Sequence, residues 1–97
     1  MTIHVTLTVD LNSNVSQAAR ARFYEFLKGR NYTKHKLTTL WTAWFLPGNT
    51  NESAIRYTKE TVASAAKAAG ITHYEALVMP GEQRPTEWTG LAVLIHS

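Results

Sequence analysis

The single aspartate of this chain, Asp10, closes an alternating run in which Ile3, Val5, Leu7, Val9 and Leu11 share one parity and His4, Thr6, Thr8 and Asp10 share the other. A carboxylate placed opposite an apolar face at the end of a strand can hold a hard cation such as Mg²⁺ through oxygen. A cation held that way activates water against a phosphodiester. The same position also suits an aspartate that caps the turn into a following helix, and the sequence leaves both roles open. Charge supplies the second candidate group. Arg20, Arg22, Lys28, Arg30, Lys34 and Lys36 fall close together with only Glu25 among them, a local net charge of +5 in a chain whose total is +3. A stripe of this kind is either a solvated helix face or the footprint of a phosphate backbone, whose neutralisation releases condensed counterions. From Ile71 onward the balance reverses, with Glu75, Glu82 and Glu87 against Arg84.

The remaining chemistry is weaker. His4, His35, His73 and His96 are far apart in sequence, and a metal site would need them to converge, so they are expected on surfaces and sheet faces. Trp41 and Trp44 have opposite strand parity and cannot fill the same core face; one of them is free to stack on a base or to line an interface. The chain has no cysteine, which excludes disulfides, thiolate metal sites and a cysteine nucleophile. Dinucleotide-binding, Walker, zincin and serine-elbow motifs are all absent.

These residues need elements to position them. The chain is long enough for one core, so residues 1–97 are read as a single domain. The alternating run Ile3 to Leu11 predicts a half-buried strand. Asn12, Ser13 and Asn14 offer caps for a helix from about Val15 to Lys28, its apolar stripe formed by Val15, Ala19, Phe23, Phe26 and Leu27 and its end set by Gly29. Tyr32 to Leu46 is β-branched and aromatic on both parities and predicts one strand covered on both sides or meeting a partner, ended by Pro47-Gly48. Asn49 and Glu52 fit a capping box for a second helix with Ile55, Val62, Ala65, Ala66 and Ala69 inward and Gly70 as its stop. Two further strands are expected at His73 to Met79 and about Thr89 to His96. The sum is an α+β sandwich with both helices on one face of the sheet. Its core is expected from Val5, Leu7, Val9, Phe23, Phe26, Leu27, Val62, Ala66, Leu77, Val93 and Ile95.

The strand Val5-Thr6-Leu7-Thr8-Val9-Asp10-Leu11, the basic helix after it and the segment Thr38-Thr39-Leu40-Trp41-Thr42-Ala43-Trp44-Phe45 together resemble the ferredoxin-like superfamily of the smaller CRISPR adaptation protein and virulence-associated protein D. The resemblance implies a β-α-β-β-α-β core, an antiparallel sheet and a homodimer. It also implies metal-dependent phosphodiester cleavage at an aspartate ending the first strand, which here is Asp10. The superfamily has two strands between its helices, whereas Tyr32 to Leu46 shows no Gly or Asn-Gly turn that would split it.

The leading expectation is therefore a small dimeric protein acting on RNA or DNA, a Mg²⁺-dependent endoribonuclease of toxin, antitoxin or defence type. Asp10 would be its metal-holding catalytic residue, and Arg20, Arg22, Lys28, Arg30, Lys34 and Lys36 its phosphate contacts. A ferredoxin-like dimer binding a small molecule with Trp41, Trp44 and His73 is a second reading, and a non-catalytic protein-interaction or inhibitor module a third. Apolar runs are too short for a membrane span. Met1-Thr2-Ile3-His4 shows no basic region leading into an apolar stretch, so the expected location is the cytoplasm.

Overall fold

The alternation at the N-terminus decides the architecture. In the computed structural model, which describes residues 2–35, 39–84 and 86, Ile3–Leu11 forms strand β1, with all five odd-numbered residues buried and Asp10 exposed. Helix α1 (Gln17–Gly29), strands β2 (Thr33–Lys34) and β3 (Leu40–Phe45), helix α2 (Asn51–Ala69) and strand β4 (Tyr74–Gly81) follow. The sheet is antiparallel with order β2-β3-β1-β4, so the order of elements is β-α-β-β-α-β and the fold is ferredoxin-like. β1 is central, pairing with β3 from Ile3↔Phe45 to Thr8↔Leu40 and with β4 from His4↔Gly81 to Leu11↔Tyr74. Because side chains alternate with period two, this register puts Trp41, Ala43 and Phe45 on the same face as Val5 and Leu7.

Both helices pack on that face. α1 contributes Ala19, Phe23 and Leu27 to the core, and α2 contributes Ala54, Val62, Ala65, Ala66 and Ala69. The alanine stripe lets α2 lie close, and two threonines, Thr58 and Thr61, are buried along it. Thr58 Oγ1 is satisfied by the Tyr32 hydroxyl at 2.8 Å, a link between the end of α1 and the middle of α2.

Several sequence expectations need correction. The segment from Tyr32 to Leu46 is two strands: Thr33 pairs with Thr42, Lys34 pairs with Trp41, and the His35 amide donates to the Leu40 carbonyl. Five residues stand between the strand ends Lys34 and Leu40, and a span of that length does not need the left-handed two-residue turn that an Asn-Gly signal marks. Residues 36–38 lie outside the described residues. α1 is capped by Ser16, whose side chain accepts from the Ala19 amide, rather than by the Asn12 to Asn14 group. It ends at Gly29 as expected, with Arg30 as its C-cap and Asn31 just beyond taking φ +69°, as an asparagine can. The capping box of α2 is Thr50 with Ser53, one residue beyond the expected Asn49 and Glu52. Gly70 ends α2 at φ +73°, as expected.

In the expected core, Phe26 is half-buried under the Arg30 guanidinium, and Leu77 is 59% exposed because its parity on β4 points away from the helices. Trp41 (1% exposed) and Tyr32 occupy core positions not anticipated. The expected strand from Thr89 to His96, with Val93 and Ile95, lies outside the described residues.

Phe23 is fully buried, so Phe23→Ala should lower stability by about 3 to 5 kcal/mol in a urea titration. Tyr32→Phe should cost about 1 to 2 kcal/mol, because it strands the Thr58 hydroxyl. Burial raises the Tyr32 phenol above its ordinary pKa, against the weaker pull of the Thr58 and Thr61 hydroxyls. The unfolded chain therefore loses this proton first. The contribution of Tyr32 is intact below about pH 10 and disappears as pH rises through the folded value. The urea midpoint should fall more steeply on alkaline titration in the native chain than in Tyr32→Phe.

Candidate nucleic-acid interface

The parity that buries five apolar residues of β1 sends His4, Thr6, Thr8 and Asp10 to the opposite face, which carries no helix among the described residues. Register places Leu40, Thr42 and Trp44 of β3, Glu75, Leu77 and Met79 of β4, and Thr33 of β2 on that same face. Leu77 and Met79 are 59% and 65% exposed there, and Trp44 is 64% exposed. Two tryptophans three residues apart thus have opposite fates. Trp41 packs against the Tyr24 ring at 5.6 Å, while Trp44 stands on the open face.

Asp10 lies at the Leu11 end of β1, directly opposite Glu75. It does not cap α1, a role that belongs to Ser16. Cross-strand pairs on one face bring Cβ atoms to about 4.5 to 5.5 Å, so these two carboxylates are neighbours that repel each other unless a cation lies between them. They form no group of three or more potential metal ligands among the described residues. A pair of carboxylates still suits Mg²⁺, which keeps most of its waters and takes its remaining oxygens from substrate phosphate. Glu75 was not singled out in the sequence because its relation to Asp10 exists only through strand register.

The basic residues divide into two places. Arg20, half-buried, donates Nη2 to the Asn12 carbonyl at 3.0 Å and to that of Leu11 at 3.5 Å, tying α1 to the end of β1 near Asp10. Arg22 is exposed on α1. Lys28 and Lys34 meet at the other place, with Tyr32, Thr33 and His35, around an open depression of about 560 Å³ at the β2 edge. Lys34 Nζ sits 5.5 Å over the Tyr24 ring, and the Arg30 guanidinium 4.9 Å over Phe26, contacts that hold both cations at the surface. Lys36 lies outside the described residues.

A larger depression, about 930 Å³, lies on the open face itself and is lined by His4, Thr33, His35, Thr42, Trp44 and Arg84 among others. His35 Nε2 is within hydrogen-bond reach of Thr42 Oγ1. The two depressions share Thr33 and His35, and no carboxylate lines either of them among the described residues. Arg84 was visible in the sequence only as an isolated base in an acidic segment. His73 is exposed ahead of β4, and Trp41 and Trp44 lie on opposite faces of the sheet. His96 lies outside the described residues. No helix among the described residues is long and apolar enough to cross a membrane.

No family model and no curated protein matches this chain. Among solved structures it is similar to protein SP2199 from Streptococcus pneumoniae, a structural-genomics target. The TM-score is 0.54, with 15% identity over 87% of this chain and 89% of that one. At that identity the likeness is one of fold.

The carboxylate pair gives a direct check on this geometry. Asp10→Asn should raise stability by about a few tenths of a kcal/mol at neutral pH and low salt, by relieving repulsion with Glu75. The gain should shrink as salt is added.

Proposed function

We propose that this chain is a small nucleic-acid-acting protein that grips a phosphate backbone at the β2 edge and cleaves it, in the presence of Mg²⁺, beside Asp10. The observation that carries the reading is the convergence of Lys28, Lys34 and His35 on one depression without an acidic lining residue, next to a sheet face that also carries Asp10 and Glu75. Lys28 and Lys34 neutralise phosphate charge, and Arg22 and Arg30 extend the positive surface along α1. Asp10 and Glu75 would hold Mg²⁺, which when bound supplies Lewis-acid activation of water and neutralises charge on the phosphate. Arg20 braces the backbone on which Asp10 sits. On this reading the protein is a cytoplasmic homodimer, the second copy covering Leu77 and Met79 beside Thr6 and Thr8. An endoribonuclease of toxin, antitoxin or defence type is the activity that fits these parts.

A largely apolar depression of about 500 Å³ between α2 and β4, lined by Leu7, Val62, Ala63 and Val78 together with the charged Lys59 and Glu60, favours a second reading in which the chain binds a small apolar molecule. Binding by that route would not depend on salt.

The two readings separate in a titration with labelled RNA. Lys28→Glu with Lys34→Glu should weaken binding for all sequences and reduce the slope of log K against log salt by about 0.7 to 0.9 for each phosphate no longer neutralised. Asp10→Asn should leave affinity within about twofold while abolishing Mg²⁺-dependent cleavage, since it removes a metal ligand and leaves the phosphate-binding cations in place. Unchanged binding in the double reversal would assign the basic residues to a solvated surface.

A further inference from the structure

We propose that the open sheet face around Trp44 is a subsite for an unpaired nucleotide, with the base stacked on the indole and the phosphates held by Arg84 and Arg30. This rests on the nucleic-acid reading above and specifies its substrate class as single-stranded. Trp44 is 64% exposed on a sheet whose other described tryptophan, Trp41, is buried, so a large flat apolar surface is presented where the core does not require it. Its surroundings are mixed. His4 is its cross-strand partner on β1, and the depression carries Thr33, Thr42, His35 and Arg84 beside the apolar Leu40 and Ala43. An apolar partner seated here would take the Arg84 guanidinium out of water without compensation. A nucleotide instead offers donors and acceptors on the base edge and oxygens for the guanidinium.

Charge points the same way. Arg84 lines this depression, and neither Asp nor Glu is among its described lining residues. The adjoining depression, which also reaches Trp44, carries Arg30 and Arg56 against a single acid, Glu60. The volume of the first, about 930 Å³, is at the upper end of small-molecule sites. Thr33 and His35 are common to it and to the depression holding Lys28 and Lys34. A strand whose base stacks on Trp44 therefore continues onto the β2 edge without leaving the protein surface. The stacked base must have its face free, which paired bases in a duplex do not.

The test is fluorescence anisotropy with a labelled RNA of about twelve nucleotides, alone and annealed to its complement, against the native chain, Trp44→Ala, Trp44→Phe and Lys28→Glu with Lys34→Glu. Trp44 is a surface residue, and circular dichroism verifies that each variant keeps the fold. Trp44→Ala should weaken single-strand binding roughly 5- to 150-fold, Trp44→Phe should recover most of that loss, and neither should change duplex binding by more than about twofold. Native affinity in Trp44→Ala, with binding lost in the lysine reversal, would overturn the stacking site and leave the nucleic-acid reading standing. An equal loss for single strand and duplex in Trp44→Ala would also overturn the stacking site. No binding of either RNA by the native chain would overturn both.

Discussion

The register of β1 is the constraint on which the rest depends. Its five buried apolar residues allow only one parity to face the helices, since a one-residue slip would expose Val5, Leu7 and Val9 and bury Asp10. Because β1 pairs on both sides, that parity is transmitted to β3 and β4. Trp41 therefore enters the core while Trp44, Leu77 and Met79 are left outside, and Asp10 is set against Glu75. The helix-free face is thus a consequence of the core: burying the odd positions of β1 displays the even ones.

How much of this is legible in sequence depends on whether the information is local. The alternation of β1 and the opposite parities of Trp41 and Trp44 can be read directly, and so can the exposure of Asp10. Which tryptophan is buried cannot, since that is settled by pairing Leu7 with Trp41 across strands some thirty residues apart. The same applies to Leu77, whose apolar character suggests burial until its partner Thr8 shows which face it shares. The division of Tyr32 to Leu46 escapes a turn-based reading because the connection from Lys34 to Leu40 is long enough to close without glycine. Helix boundaries moved by one or two residues where several polar residues competed for the cap, as Ser16 did with Asn12 to Asn14 and Thr50 with Asn49.

The basic residues show the same division between composition and place. As a stretch of sequence they form one cluster, but the helix separates them along its length. Arg20 is used at the Asp10 end as a backbone brace, while Lys28 and Arg30 reach the opposite end. Lys34 joins Lys28 only because β2 runs back along α1. A patch of positive charge next to an aromatic on a flat sheet is the arrangement that single-stranded nucleic acids favour, with charge supplying affinity and the aromatic selecting unpaired bases. On the proposed reading the carboxylate pair at the far end, about 20 Å along β1 from His4, is where a cation and a phosphate would meet.

The central claim is that the helix-free face and its β2 edge form the working surface of this protein. The most direct measurement is a two-dimensional ¹H–¹⁵N NMR titration of the full chain with a short single-stranded RNA. Saturable shifts are expected to concentrate on Thr6, Thr33, Thr42, the Trp44 indole N–H and Arg84, and to fade toward the outer faces of the helices. Shifts confined to exposed α2 residues such as Lys59, Ser64 and Lys67, with the Trp44 indole unmoved at saturation, would contradict the claim.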